Sequence, residues 1–463
     1  MIFRIKYVRQ VYKDMERGLT LIGATGIEDK LQENVVESIH KFHKAGIITW
    51  MLTGDKKETA INMAHTSGMI KSPQENIIDL CEVLDKKSLF KLIDEVHKDR
   101  LDWRQQLGPS LVISGLVISA VLKYPSQKLK LSEIATRCYS IVACRLSPVQ
   151  KSQLVTMIKQ ADNSNITCAI GDGGNDVAMI QEAHVGIGLM GREGSAASQS
   201  ADFAISKFSH LQRLLLVHGH WYYTRVAFLV QYSFYKNVAY IGFIQLFYAL
   251  YSNFSMESLY DSLFLVLANT FYTSVPVVIY GLTEQKYSDK TLLAQPELYK
   301  KNSGNALMSS GHFFKWFLLG LWHGTCSFFT WTFAWRSVEM IYPYGFSSTS
   351  LSAVVAAASI TVVNLKTLVE AKYWSWILVV SIFWSIFNYI LGTLIYNLMN
   401  FDNALYDSQA TYYTYIYMFS SPILVHISVI LLTIVTALLP DFLFIIVTEI
   451  KEKLQREMKT LPT

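Results

Sequence analysis

The stretch GDGGNDVAMI (171–180) follows an apolar run and opens a helical one. Its residue types suit phosphate and a hard cation. Asp172 stands at the end of the apolar run, where a carboxylate can ligate Mg2+. Gly173 and Gly174 let the backbone turn tightly beside a ligand. Asn175 and Asp176 then point back to the same strand end. Two carboxylates four residues apart fit a cation that also takes phosphate oxygens. A Gly-rich turn with a capping aspartate would explain a lone GDG, but it does not explain the pattern over ten residues.

Two further stretches offer phosphate chemistry. TGD (53–55) ends another apolar run. Thr53 supplies a hydroxyl and Gly54 a backbone N–H, both natural phosphate donors at a helix start. Asp55 by itself reads as an N-cap. CRLSPVQKSQLV (144–155) puts Arg145 at a strand end, Pro148 at a helix start and Lys151 on the first turns. Lys151 could neutralise charge on a phosphoryl group. In isolation it reads equally well as a solvated surface lysine.

The elements that must position these residues follow from hydrophobic periodicity. LTLIGAT (19–25), IITWMLTGD (47–55), LVIS (111–114), SIVACR (140–145), TCAIGD (167–172), VGIGL (185–189) and FAIS (203–206) read as strands. LQENVVESIHKFHKAG (31–46) and KKETAINMAHTSG (56–68) have helical spacing. Near-continuous apolar strands alternating with helices predict a parallel sheet covered on both faces. Functional residues of such sheets sit at the carboxyl ends of strands. Residues 71–110 and 121–138 are charged and irregular and read as surface connections.

The second half is different. Of 463 residues 51% are hydrophobic, with 26 Tyr, 25 Phe and 10 Trp, and the excess lies in long apolar runs between 226 and 449. Six runs, at about 226–250, 259–281, 313–335, 351–369, 375–398 and 416–445, each hold roughly 19 or more mostly apolar residues, enough to cross a bilayer core. The loops near 251–258 and 399–415 have no Lys or Arg, and 336–350 has only Arg336. The 282–312 loop has Lys286, Lys290, Lys300 and Lys301, and the tail has Lys451, Lys453, Arg456 and Lys459. The positive-inside rule therefore predicts that the first half, the 282–312 loop and the tail are cytosolic.

Other classes recede. A net charge of +5 without a basic stripe gives no nucleic-acid surface. The five cysteines (Cys81, Cys138, Cys144, Cys168 and Cys326) form no CxxC pair, so neither a zinc site nor a disulfide framework is expected. The N-terminal segment is charged throughout and is no signal peptide.

Within the first apolar run, YSFYKNVAY carries Lys236 and Asn237. Lys236 lies about 15 Å from the start of the run, near the bilayer middle. A lysine there is costly and defaults to a functional role. The plainer account is a lysine paired with a carbonyl for packing. The second run has no acidic residue deep inside it, only Asp261 near one edge, so a metal-ion pathway lacks its ligands.

The three phosphate motifs resemble the active site of the haloacid-dehalogenase superfamily in its P-type ATPase version. The segments at 23–64, 169–208 and 214–237, with NTFYTSVPVV (269–278) and VVNLK (362–366), are similar to the type-IV subfamily, the phospholipid flippases. The resemblance covers nearly the whole chain. It implies a haloacid-dehalogenase-like phosphorylation domain at 1–210, partial at its start. It also implies a linker helix at 211–225, six membrane helices at 226–449 and a cytosolic tail at 450–463. It implies ATP and Mg2+ as cofactors and a phospholipid as substrate. Thr53, Gly54, Asp55, Arg145, Lys151, Asn175 and Asp176 would bind phosphate, and Asp172 and Asp176 the metal. Lys236, Asn237 and Asn269 would lie on the headgroup path, with Asn269 facing the other two. A two-span accessory glycoprotein and a Golgi, endosomal or plasma membrane would be its setting.

The departures bear on activity. The family's nucleophile is the aspartate of DKTGT, and these 463 residues contain no DKTGT. SDKT (288–291) lies between the second and third runs and continues with Leu292 and Leu293 in place of Gly-Thr. Ser114-Gly115 stands where the family has Asp-Gly. The expectation is a C-terminal portion of a pump, inactive by itself. The competing reading is a non-catalytic membrane protein or pseudo-enzyme.

Overall fold

The computed structural model describes residues 30–70, 77–81, 85–99, 108–191, 195–260, 262–341, 348–398 and 423–460, with scattered positions between 10 and 23. The expected strand at 19–25, the loop at 399–415, Asp261 and residues 416–422 lie wholly or partly outside them.

All strand pairs are parallel. Strands β1 (Thr49–Leu52), β2 (Ile77–Asp79), β3 (Ser110–Ser114) and β4 (Ser140–Cys144) form one sheet in the order β1-β4-β3-β2. Strands β5 (Cys168–Gly171), β6 (Val185–Leu189) and β7 (Phe203–Ile205) form a second, in chain order. A single sheet was expected. Strands β1 and β5 each stand at an edge and pair on one side only among the described residues, as do β2 and β7.

Side-chain alternation along the strands builds a core on each face of the larger sheet. Leu111, Ile113, Ile141 and Ala143 pack on one face, against α3 (Lys86–Asp99), α4 (Gly115–Val121), α5 (Pro125–Ala135) and α6 (Pro148–Ala161). Val112, Val142 and Cys144 pack on the other, against α1 (Val35–Lys44) and α2 (Lys57–Thr66). Helix α1 joins the two sheets. Its Ile39 shares a core with Met51 of β1, while Phe42, one turn on, packs with Ile170 of β5 and Ile187 of β6.

Residues 71–110 and 121–138 are not the irregular connections expected, because they hold β2, α3 and α5. Leu89, Ile93 and Val96 give α3 a buried stripe at helical spacing, interleaved with charges that hide it in the sequence. Pro125 at its first position starts α5.

The second half is helical. Helix α7 (Val177–Glu182) and α8 (Ala196–Ser200) complete the α/β part, and α9 (His220–Asn237) leads away from it. A π-helical turn at Val238–Gly242 connects α9 to α10 (Phe243–Tyr251). Helix α11 (Ser262–Leu267), a π turn at Ala268–Tyr272 and α12 (Ser274–Thr283) make the next passage. Then come α13 (Ser310–Ile341), α14 (Ser348–Glu370), α15 (Trp376–Leu398) and α16 (Ile423–Thr460).

Among the described residues four stretches are long and apolar enough to cross a membrane: Phe264–Thr283, Leu351–Glu370, Trp376–Ile395 and His426–Lys451. The α9–α10 passage and α13 are comparably long. They carry Arg225, Lys236 and Gln245, and His312, Lys315 and His323, which lower their hydropathy. Apolar side chains such as Phe383, Phe387, Leu431 and Val435 point outward on α15 and α16, as a lipid-facing surface requires.

Pro276 stands in the first turn of α12 and Pro440 inside α16, and in each case a neighbouring helix donates to the carbonyl four residues back. Pro276 has no N–H for the Tyr272 carbonyl one turn back, and the Asn364 amide of α14 donates to that oxygen at 3.0 Å. Pro440 likewise leaves the Thr436 carbonyl open, and the Trp322 indole of α13 donates to it at 3.2 Å.

The two halves meet at the foot of α9. Trp221 Nε1 donates to the Tyr287 carbonyl at 2.9 Å and Arg225 Nε to the Glu284 carbonyl at 2.8 Å. The Glu284 carboxylate accepts the backbone N–H groups of Lys372 and Tyr373. Arg213 pairs with Asp289 at 3.2 Å. Burial, with Lys286 nearby, pushes His220 down to about 4, so this joint holds a neutral imidazole at neutral pH.

Candidate functional site

The three phosphate motifs stand at the carboxyl ends of β1, β4 and β5. After β1, the Thr53 hydroxyl donates to the Asp55 carboxylate at 2.7 Å and accepts the Asp55 N–H at 3.2 Å. This closes a tight turn. The turn is tied to β4: Thr53 N donates to the Ala143 carbonyl, Leu146 N to the Thr53 carbonyl and Arg145 N to the Asp55 carbonyl, all within 3.0 Å. Parallel pairing of Leu52 with Ala143 sets this register.

Arg145 has φ +53, in the left-handed region that costs a non-glycine residue free energy. Its side chain is exposed. Ser147 and Gln150 form a capping box at the start of α6, with Pro148 at the first turn. The carbonyl of Arg145 lies against Gly115, where a Cβ would approach it to 2.4 Å. The glycine of Ser114-Gly115 is therefore required by close packing of this loop.

Capping sets the direction of α6, and with it Lys151. Its ammonium donates to Asp176 Oδ1 at 2.8 Å, with both side chains largely buried. Asp176 folds back over the tip of β5: a Cβ on Gly171 would come within 2.3 Å of the Asp176 Cβ. The second and third motifs are thus joined by an ion pair, and the first and second by backbone hydrogen bonds. Asp172 and Asn175 are exposed, and Asp172 has no hydrogen-bond partner among the described residues.

This donor set is open. Among the described residues no group of three or more His, Cys, Asp or Glu side chains gathers to enclose a metal. Mg2+ does not need such a cage, since it binds through one or two carboxylates and takes its remaining ligands from phosphate and water. Asp172 with Asp176 fits that mode, and Lys151 adds a cation for phosphate oxygens.

SDKT has a different fate from its sequence look-alike. Ser288 caps the short helix Asp289–Ala294, its hydroxyl accepting the Thr291 N–H at 3.2 Å, and Asp289 pairs with Arg213. It ends no strand.

In the helical half, Lys236 is buried on α9 and its ammonium donates to the Thr273 hydroxyl at 3.2 Å. Thr273 in turn donates to the Ala268 carbonyl, closing the π turn. Asn237 is exposed and its amide donates to the Ser233 carbonyl at 3.0 Å. Asn269 lies half-buried in the π turn and makes no hydrogen bond to Lys236 or Asn237. The atom that meets Lys236 from the second passage is Thr273 Oγ1. π turns recur at functional sites, and here one follows Asn237 directly and another contains Asn269.

Sequence reasoning passed over Thr273, and also His323, Lys366 and Asp441, all buried in the helical half. The signal was present, because ionisable residues inside apolar runs are rare and functional by default.

A family model described as phospholipid-translocating P-type ATPase C-terminal matches residues 198–452. The chain is 33% identical over 484 residues to phospholipid-transporting ATPase IG of Homo sapiens, a match covering 98% of this chain and 42% of that protein. It is 36% identical over 465 residues to phospholipid-transporting ATPase IH of Homo sapiens, covering 95% and 40%. It is 35% identical over 412 residues to phospholipid-transporting ATPase 10 of Arabidopsis thaliana, covering 84% and 34%. The chain spans about two fifths of the length of the first of these curated relatives.

Proposed function

This chain belongs to the phospholipid-translocating P-type ATPases, as a C-terminal portion, and on that premise we propose that it serves ATP-driven movement of a phospholipid between leaflets. The observation that carries the reading is Lys236. It is a buried ammonium on a membrane-domain helix, held by one threonine hydroxyl, with no carboxylate among the described residues hydrogen-bonded to it. A site of that charge repels cations and can meet an anionic headgroup. Lys236, Asn237 and Asn269 form the headgroup path in this reading.

The α/β part, residues 1–210, is read as a haloacid-dehalogenase-like phosphorylation domain. A linker (211–225), six membrane helices (226–449) and a cytosolic tail (450–463) follow, with the α/β part on the cytosolic side. Asp172 and Asp176 would hold Mg2+, which would draw electron density from the phosphate oxygens. Thr53, Gly54, Asp55, Arg145, Lys151 and Asn175 would bind and orient the phosphate. The one-sided pairing of β1 and β5 supports a further parallel strand between them. A strand ending in the family's DKTGT aspartate would put the nucleophile at the same carboxyl ends as Thr53 and Asp172. The 463 residues have no such motif, so we expect this polypeptide alone, given labelled ATP and Mg2+ and quenched in acid, to carry no hydroxylamine-sensitive label. A label would overturn that, and would also remove the pseudo-enzyme reading that the missing motif favours. An accessory two-span glycoprotein and a Golgi, endosomal or plasma membrane complete the proposal.

The functional test uses a full-length pump containing this region. Lys236→Ala should lower lipid-stimulated ATPase activity and leave phosphorylation by ATP intact. Lys236→Arg should retain more activity, since it keeps the charge. Stimulation by Na+, K+, Ca2+ or Mn2+ and by no phospholipid would refute the reading.

A further inference from the structure

Next to Lys236 in the chain, Tyr235 enters a buried chain of polar groups that crosses four helices. Its hydroxyl meets His323 Nδ1 of α13. His323 Nε2 meets Asp441 Oδ2 of α16 at 2.9 Å. Asp441 Oδ1 accepts from the Lys366 ammonium of α14, which also pairs with Glu370 one turn along. Tyr235, His323, Lys366 and Asp441 are each 4% exposed or less. The Lys366 ammonium lies 5.0 Å from the centre of the Trp316 ring. Lys315, on the same helix as His323, holds its own ammonium 3.2 Å from the centre of the Phe444 ring on α16.

The hydrogen bonds have one consistent direction. A carboxylate held by an ammonium can only accept, so His323 Nε2 carries a proton and donates to Asp441. Nδ1 is then an acceptor, and the Tyr235 hydroxyl donates to it. The ring is neutral in this arrangement. A phenol oxygen can also accept, so the contact with Tyr235 does not depend on which of the two groups holds the shared proton. Pro440 immediately precedes Asp441, so the carboxylate hangs from a kinked turn whose open carbonyl is held by Trp322, one residue before His323.

We propose that Tyr235, His323, Asp441 and Lys366 form a positioning relay that fixes the rotation of α9, so that Lys236 faces Thr273 and the headgroup path. The proposal rests on the flippase reading of Lys236. It makes His323 a positioning residue that touches no substrate. Among the described residues the charged and titratable groups acting on the imidazole are Tyr235 on α9, Lys366 on α14 and Asp441 on α16, with Glu370 paired to Lys366. None but His323 both accepts from Tyr235 and donates to Asp441.

The experiment compares His323→Gln with His323→Leu in a full-length pump. A glutamine amide can donate to Asp441 through its nitrogen and accept from Tyr235 through its oxygen, without titrating. His323→Gln should stay near wild type in its dependence on lipid concentration. His323→Leu should raise the lipid concentration for half-stimulation about tenfold, with phosphorylation by ATP unchanged. Tyr235→Phe, which removes one oxygen, should raise it in the same direction and serves if the leucine variant does not fold. Equal impairment of the glutamine and leucine variants, or wild-type lipid dependence in Tyr235→Phe, would overturn the relay. A wild-type pump that no phospholipid stimulates would instead overturn the reading beneath it.

Discussion

Thr273 is the residue whose weight can be worked most directly. Thr273→Val keeps the branched shape and removes the oxygen. Two hydrogen bonds go with it: the one accepted from Lys236 at 3.2 Å and the one donated to the Ala268 carbonyl at 2.7 Å. Thr273 is fully buried and Lys236 is 9% exposed, so water cannot readily replace either partner. A hydrogen bond to a charged group contributes about 1.5–3 kcal/mol and a neutral one about 1 kcal/mol, so the substitution should cost about 2.5–4 kcal/mol. Lys236→Met keeps the stem and drops the charge. In that background Thr273→Val should cost only the neutral bond, about 1 kcal/mol. The coupling between the two sites is then about 1.5–3 kcal/mol, read from a double-mutant cycle. The assay is denaturant unfolding of the four purified full-length proteins in one detergent, followed by helical circular dichroism. Thr273→Ser should restore most of the loss. Additivity of the two substitutions within about 0.5 kcal/mol would refute the pairing as an energetic contact.

Three further outcomes are expected. In a full-length pump, Asp172→Asn should abolish phosphorylation by ATP and Asp176→Ala should weaken it severely, and normal phosphorylation of both across a Mg2+ titration would remove the metal assignment. Trp322→Phe should cost about 1 kcal/mol in thermal inactivation assays. The cost should vanish in a Pro440→Ala background, where the helix supplies its own N–H to Thr436, and persistence of the loss there would refute the repair. A cysteine replacing Asn253, in the loop between α10 and α11, should react with an impermeant reagent from the non-cytosolic side alone, and labelling from the cytosolic side would invert the topology.

Much of the α/β half was legible because its chemistry is local. β5 and the GDGGND turn, β1 and TGD, and the Pro148 helix start are each set by neighbours in sequence. The Lys151–Asp176 ion pair was not legible, since it joins residues 25 apart through the relation of two sheets. Helix α3 escaped notice because lysines and acids surround its three buried side chains. In the helical half, the family resemblance offered Asn269 facing Lys236 and Asn237, and nothing in the sequence singled out Thr273, which follows the π turn at Ala268–Tyr272 and meets the lysine. A π turn leaves no mark in hydrophobic spacing, although one extra residue shifts the presented face by about 100°. The Tyr235–His323–Asp441 chain was hidden for another reason: each member looks like an isolated polar residue until four helices pack.

The two proline repairs also bear on how the chain is made. Membrane helices leave the insertion machinery in order, and α12 is finished well before α14 exists. Until Asn364 arrives, the Tyr272 carbonyl opposite Pro276 has no donor from its own helix. In hydrocarbon such a group costs several kcal/mol. The Trp322 donor has the opposite history, made early and idle until α16 brings Thr436. A ribosome halted between α12 and α14 would therefore leave a helix with an open carbonyl in lipid.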